Sequence, residues 1–456
     1  MTGRDDPHPG TAPEHRSAPV DAAWPLPPDD RVVLSALERT LAYARERDYT
    51  GWDYGDGMSS RLRRASPIQH KWLNVAFQEA VKRAPVNVRR LLLVEQRRNY
   101  QGTALFAMAN QTVDHLLDGP GGADDASGAT DGGATTAAPQ GMDTSPGLPS
   151  GMVDSPTVDY AREARSLLEW LLENRSEGYA GYCGGYQHPI QHLDGRGDPG
   201  EPDVVNTSFG VRALLRGGEY DPVYPDVARS AADFVVGDLS FEPADDDTGA
   251  VIDYHTKHPQ AYYTINAGAL GARLFVDLYA RFEEPELRER AEALLDHIAT
   301  LQTDLGGWYY REPRDASHLS MDNHHNGFVI EAFQRYVEVV DDDRYDATLE
   351  SALRFYRDVL FEDGGAPNFD ETSSYPRDVH ASTQGVLVFT YAGDLAFARQ
   401  VLQWALENLH AGDGRFYFRK ERLYTRRVTL MRWCQAWMAY AMAEYLDARV
   451  EADETL

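Results

Sequence analysis

The stretch from Ser320 to Tyr336 reads SMDNHHNGFVIEAFQRY. Asp322, Asn323, His324, His325 and Asn326 stand in a row and Gly327 follows. Phe328, Val329, Ile330, Ala332, Phe333 and Val337 then recur at helical spacing. The pattern predicts a helix that opens on a polar, titratable mouth and runs on into a core. Just upstream, Gly306-Gly307-Trp308-Tyr309-Tyr310 reads as a turn followed by an aromatic, strand-like segment. The unit is therefore a helix, a glycine–aromatic hairpin, and a second helix with a polar entrance.

Outward from this stretch the unit recurs. Glycine–aromatic segments stand at 51–54, 178–182, 249–254, 364–369 and 413–418. An amide ahead of a small residue opens a helix at Gln101-Gly102, Asn266-Ala267, Asn326-Gly327, Gln384-Gly385 and Gln435-Ala436, and Asn206 precedes Gly210 in the same way. From Gly249 through Gly307 and Gly365 to Gly414 the period is about 50–60 residues, the range of a repeat architecture. Helices are expected at 32–47, 67–82, 85–96, 100–117, 158–174, 205–216, 222–239, 263–282, 285–302, 322–340, 345–360, 380–391, 395–409 and 428–446, with strands confined to the hairpins. A two-helix hairpin cannot bury its apolar face alone and must stack on its neighbours. The expected fold is all-α: an (α/α) toroid of six or seven helical hairpins, with short β-hairpins at one face. The inner helices would point their N-terminal ends at that face.

Residues 1–30, rich in Pro, Asp, Ala and His, read as a disordered tail. Residues 31–450 read as a single toroid domain. It is interrupted at 118–156 by a Gly/Ala/Asp/Thr/Pro/Ser segment with almost nothing to bury, expected to be a flexible insertion.

The formal net charge is −28 and lysine occurs only at 71, 82, 257 and 420. Acid excess with scarce lysine suits a high-salt cytoplasm, where carboxylates keep the surface hydrated and salt screens their repulsion. With no basic stripe, nucleic acid is not an expected partner. Cys183 and Cys434 are too few and too far apart for a zinc site or a disulfide framework. His-x-x-x-His spacing is absent, so no metal is expected, and no glycine-rich strand–helix loop calls for a nucleotide cofactor. No run of about 18 apolar residues and no apolar N-terminal leader occur, which reads as a cytoplasmic chain without a transmembrane segment. Peripheral membrane association and oligomeric state stay open.

Asp322, His324 and His325 head the candidate catalytic residues, since a carboxylate beside imidazoles at a helix N-terminus suits acid–base chemistry. Being adjacent, the two histidines are not expected to point the same way. A second cluster is Tyr254, His255, Lys257, His258, Tyr262 and Tyr263; a third is Asp370, Glu371, Tyr375, Arg377 and His380. Asp53, Tyr54 and Asp56 lie in a glycine-rich loop. Arg419, Lys420, Arg422, Arg426, Arg427 and Arg432 form a basic cluster in an acidic chain, suited to an acidic ligand. Aromatic rings in repeated hairpins, interleaved with carboxylates and amides, suit a carbohydrate: pyranose faces stack on rings and hydroxyls take hydrogen bonds. Asp53, Trp308, Tyr309, Asn326, Gln384, Arg419, Arg432 and Gln435 are the candidate binding residues.

On the segments 98–106, 306–310, 321–328 and 431–437, the chain resembles the (α/α)-toroid superfamily of six-hairpin glycosidases, polysaccharide lyases and sugar epimerases. It is most similar to the toroid proteins of prokaryotic polysaccharide and glycan biosynthesis clusters. The resemblance spans about Val32 to Leu446 apart from the insertion. It implies a glycan or lipid-linked sugar as substrate, and distantly a glucuronyl C5-epimerase. That chemistry needs two opposed acid–base groups, for which Tyr309, Tyr310, Tyr263 and His324 are candidates. It also needs a cation on the uronate carboxylate, for which Arg419 and Arg432 are candidates. A hydrolase would instead use two of Asp53, Asp322 and Asp370. A lyase and a non-catalytic glycan-binding toroid are the further alternatives.

Overall fold

Burial sorts the helices into two sets. The computed structural model describes residues 28–68, 70–118, 158–191, 195–245, 247–256 and 261–454. In chain order the helices are α1 (Pro28–Arg45), α2 (Arg61–Ala65), α3 (Lys71–Arg83), α4 (Tyr100–Asp118), α5 (Tyr160–Glu173), α6 (Val204–Arg216), α7 (Val223–Arg229), α8 (Ala231–Asp238), α9 (Ile265–Phe282), α10 (Pro285–Thr300), α11 (Asn323–Val340), α12 (Asp346–Val359), α13 (Val379–Tyr391), α14 (Leu395–Leu409) and α15 (Trp437–Glu454). Helix α13 is buried at nearly every position, as suits a helix apolar or small all round. Helix α5 instead buries one stripe, Ala164, Leu167, Leu168 and Leu171, and α12 buries Ala352, Phe355 and Tyr356. The first kind is packed on every side; the second has one side toward solvent.

The six inner helices α4, α6, α9, α11, α13 and α15 each touch the next, and α15 packs on α4 to close the ring. The outer helices α5, α7–α8, α10, α12 and α14 pack on the inner helix that precedes them, and α1 packs on α15. The count of hairpins is thus six, and the two ends of the described chain make the sixth. Asp30 of α1 locks it, accepting from Tyr445 Oη at 2.7 Å and Arg449 Nε at 3.2 Å. The fold is an (α/α)6 toroid. Connections from inner to outer helix are short where described, for example 283–284 and 392–394, whereas outer-to-inner connections are long. Among the described residues the long loops therefore gather at the N-terminal ends of the inner helices. The expected tail falls outside the described residues apart from its last three positions, which begin α1. The expected insertion, between α4 and α5, lies outside them apart from its first residue, Asp118.

The strands are two-residue pieces in the long loops: 50–51 with 97–98, 190–191 with 196–197, 242–243 with 250–251, 263–264 with 311–312, and a three-stranded set of 377–378, 419–420 and 425–426. The glycine–aromatic segments are mostly tight turns, with strand pairing at Gly51 and at Ala250 and Val251. Gly306, at φ +97, would press a side chain into the Ser351 backbone, so only glycine fits. Two of the amides behind them are clamps. Asn326 accepts from Trp308 N at 2.8 Å and donates to Trp308 O at 3.0 Å; Gln435 accepts from Phe416 N and donates to Gly414 O, both at 2.7 Å.

Three expected helices differ. Residues 85–96 form turns and a bridge, with Leu93 in the left-handed region and Leu92 and Leu93 carbonyls taken by Ser60 Oγ and Arg61 N. The expected helix 222–239 breaks at Ser230, whose hydroxyl is drawn to Val227 O and Tyr182 N. The last inner helix starts with a π turn, Met431–Ala436. The basic stretch 61–65 is the short helix α2.

Candidate active site

The polar entrances meet at the long-loop face. Asp322 caps α11 by accepting from His325 N at 3.3 Å, and its carboxylate also takes His325 Nδ1 at 2.8 and 2.9 Å. His324 Nδ1 lies 3.2 Å from the same carboxylate. Contrary to expectation, the two adjacent histidines face the same way, with ring centroids 3.9 Å apart. At the first turn of a helix the backbone bends back over its cap, so both imidazoles can fold onto the capping carboxylate. His325 also meets the Tyr310 ring at 4.3 Å, and His324 meets His380, at the start of α13, at 4.8 Å. His380 is buried between Trp433 at 4.4 Å and Trp437 at 4.5 Å, and neither ring nitrogen has a hydrogen-bond partner.

Burial sets the protonation of this group. It drives His324 down to about 3, helped by its His325 neighbour, and holds His380 well below the ordinary range, with His324 adding to the effect. Both imidazoles are neutral near pH 7. Burial alone would raise Asp322, but His325 and His324 hold it below the usual carboxylate value. Burial, and then Asp322, push the Tyr310 phenol up, so it keeps its proton.

The second half of the mouth is an ion pair. Arg432 donates from Nε to both oxygens of Asp53, at 3.1 and 2.9 Å, and from Nη1 to Gln101 Oε1 at 2.9 Å, leaving Nη2 without a hydrogen bond. Asn99 and the Tyr54 amide also bond Asp53, each at 2.7 Å. The Arg432 guanidinium lies 5.3 Å from the Tyr186 ring and 5.2 Å from Trp433. Trp433 in turn stacks on Tyr54 at 4.3 Å and donates to Asp378 at 2.9 Å.

Other expected site residues lie elsewhere. Trp308 is 1 % exposed, stacked on Phe333 with its indole N–H on Ile298 O, so it is a core residue and cannot touch a ligand. Asn326 and Gln435 are the loop clamps, and Gln384 donates to Glu331 beneath the mouth, its Oε1 without a partner; all three are buried. Tyr263 faces Asp253, Glu242 and Glu312 in a strand pair, not the histidines. Asp370 caps an exposed turn at Thr372. Tyr309 stacks beneath Arg314, and Arg419 packs on Phe418 on the three-stranded rim beside Asp378. Of the second cluster, Lys257 and His258 lie outside the described residues.

The structure adds residues that spacing did not single out: Tyr186, His188 and Asp203. Asp203 caps α6 and is wholly buried, which lifts its carboxyl to about 7 against the pull of Asn206 N and Nδ2. Burial lowers His188 to about 4, and its Nε2 has no partner. Asp322, His324 and His325 also place one donor atom each within 4.8 Å, a grouping able to hold a metal ion. Sequence spacing missed it because two donors are consecutive.

In fold, the chain is similar to the solved structure of cellobiose 2-epimerase from Bacillus thermoamylovorans, at 12% identity, 77% of this chain, 88% of that one and a TM-score of 0.56. It is similar to an unsaturated glucuronyl hydrolase specific for heparin, at 11% identity, 93% and 98% coverage and a TM-score of 0.55. It is similar also to a GH76 alpha-mannanase of Bacteroides thetaiotaomicron, at 11% identity, 78% and 87% coverage and a TM-score of 0.52. At these identities the likeness establishes the toroid fold. No protein-family model and no curated protein matches the sequence.

Proposed function

We propose that the chain is a carbohydrate-active enzyme acting on a uronic-acid-containing glycan as a glucuronate C5-epimerase does. The observation that carries this reading is the buried imidazole group at the mouth. His324 and His380 are neutral near pH 7, beside a protonated Tyr310 and an arginine with one free edge. The uronate carboxylate would sit on Arg432 Nη2. One imidazole nitrogen takes the C5 proton, the carboxylate becomes enediolate-like, and the Tyr310 hydroxyl returns a proton to the opposite face. Burial makes each imidazole a weak base in the empty site; the arriving carboxylate supplies the counter-charge that favours its protonated form. The fold likeness to a sugar epimerase supports the reading.

The three carboxylates first considered for hydrolysis speak against a two-carboxylate site. Asp53 is held by Arg432, Asp322 by two histidines, and Asp370 lies in an exposed turn. A second reading rests on Asp203: a carboxyl protonated near neutrality could serve as the acid of a hydrolase.

The test is proton exchange. The protein is incubated in heavy water with uronic-acid glycans and followed by NMR. Deuterium at C5, lost in His324→Ala and Tyr310→Phe, is the expected result. A new reducing end abolished by Asp203→Asn would replace this reading with hydrolysis, and a product absorbing in the near ultraviolet would make it lysis. Saturable binding without any product would leave a glycan-binding toroid.

A further inference from the structure

The chain carries a net charge of −28, yet residues 58–93 hold eight basic side chains and a single acidic one, Glu79. Two of the eight serve the interior: Arg63 bonds Asn74 and Arg89 bonds Asp56. Arg61 and Arg64 share Glu95, and Lys82 and Arg83 share Glu79. Six outward-facing or half-buried cations thus meet two carboxylates. The same segment departs from the rest of the surface in a second way. Leu62 and Ile68 project from α2 and the turn behind it, Trp72 and Leu73 from α3, and Val86, Leu91 and Leu93 from the turns that follow. Leu91 is 78 % exposed and Trp72 61 %. With Leu423 and Tyr424 at the tip of the 419–427 hairpin, they make up nine of the thirteen large apolar side chains exposed among the described residues. That hairpin tip is basic too, with Arg422 and Arg427 exposed, and Arg426 ties it to α3 through the Lys82 carbonyl at 3.4 Å.

This face borders the candidate site. Lys82 Nζ lies 4.4 Å from the Tyr54 ring centroid, and Tyr54 stacks on Trp433 beside His380. Apolar side chains this exposed mark an interaction surface. Their interleaving with cations in an otherwise strongly acidic protein selects the occupant: it must be anionic and must also accept apolar groups. A highly charged polyanion offers only the first property, whereas the headgroup layer of an acidic bilayer offers both.

We infer that the face formed by α2, α3, residues 86–93 and the tip of the 419–427 hairpin docks the protein on an anionic lipid surface, with the mouth of the ring beside the headgroups. This stands independently of the reaction catalysed there. The full chain is floated with vesicles of phosphatidylglycerol and phosphatidylcholine in equal parts, and with vesicles of phosphatidylcholine alone, at low and at molar salt. Binding to the anionic vesicles only, weakened by salt, is expected. A basic residue near such a surface contributes about a fivefold factor in partitioning, so Lys71→Ser with Arg90→Ser should cost about 25-fold. Trp72→Ser with Leu91→Ser should lower binding at both salts, while Val223→Ser, on another exposed apolar position, leaves it unchanged. Circular dichroism verifies that each variant is folded. Absence of binding to anionic vesicles, or binding unmoved by both double variants, overturns the inference. So does a dimer that Trp72→Ser with Leu91→Ser converts to monomer, which would make the face a contact between two copies.

Discussion

Replacing Asp53 by alanine should loosen the ring at its mouth. Asp53 sits in the loop between α1 and α2, and Arg432 starts the last inner helix, so their ion pair joins positions 379 residues apart. Both side chains are almost fully buried, at 4 and 6 % exposure, and the pair is completed by Asn99 and Gln101. Removing the carboxylate leaves a guanidinium in a low-dielectric site with a single neutral acceptor, a loss of about 3–5 kcal/mol. Roughly 380 described residues at ~2.1 cal/mol/K each give an unfolding entropy of about 0.8 kcal/mol/K, so the midpoint should fall by about 4–6 °C. Taking both charges out, as Asp53→Leu with Arg432→Met, should bring stability back to within about 1 kcal/mol of the parent, because a buried pair gains little over apolar groups of similar volume. The assay is thermal unfolding followed in parallel by far-ultraviolet circular dichroism and tryptophan fluorescence, since a chain of this length need not unfold in one step. A single variant within 1 °C of the parent, on the ~0.8 kcal/mol/K scale, would refute the argument. A double variant as unstable as the single would show that shape, not charge, holds this corner.

Trp308→Ala should cost about 3–5 kcal/mol through the cavity it leaves, yet glycan binding per folded molecule should stay within about twofold, whereas Trp433→Ala should weaken that binding; titrations on folded fractions separate the two. Between about pH 3 and 7 two buried groups should bend stability in opposite directions. His324 is lowered to about 3 in the fold, so its contribution is complete above about 6.5 and is lost as pH drops toward 3; His324→Phe should flatten that limb. Asp203 is raised to about 7, so its contribution is complete below about 3.8 and is lost as pH climbs toward 7; Asp203→Asn should flatten that one, and midpoints across pH measure both. Because the Asp322 oxygens are already taken by His325 Nδ1–H, the trio should bind no stoichiometric zinc; metal analysis after dialysis against zinc, lost in His325→Ala, would reveal a metal centre instead.

Much of the fold was legible because it repeats. The spacing of the glycine–aromatic segments marked one outer-to-inner connection each, and there are six of them. Which helices would close the expected ring was not legible, since nothing local in Pro28–Arg45 announces that it will pack on Trp437–Glu454; that pairing is purely tertiary. The expected helix at 85–96 failed for a similar reason. Its propensity is overridden where Ser60 and Arg61 capture the carbonyls of Leu92 and Leu93, a contact 32 residues away in sequence.

The candidate site was half legible, and the division has one cause. Repetition across a ring is evidence about what every hairpin needs, and a ligand site is by nature what only some hairpins have. Asn326 and Gln435 belong to the repeated motif, and both clamp the loop ahead of their helix. Trp308 belongs to it too and fills the core. The residues that gather at the mouth are those that break the pattern: His324 and His325 just ahead of the repeated amide, where no other repeat carries a histidine, His380 at the start of α13, and Arg432 inside a π turn. An odd residue at a repeated position is therefore the stronger pointer to function. By that rule Asp203 also qualifies, since its carboxyl is lifted to about 7 while Asp322, another carboxylate cap at the mouth, is held down by histidines. Asp203→Asn preserves the size and the acceptor oxygen of the cap. A large loss of turnover in a variant that still folds would place Asp203 in the chemistry, while unchanged turnover would leave it as the cap of α6.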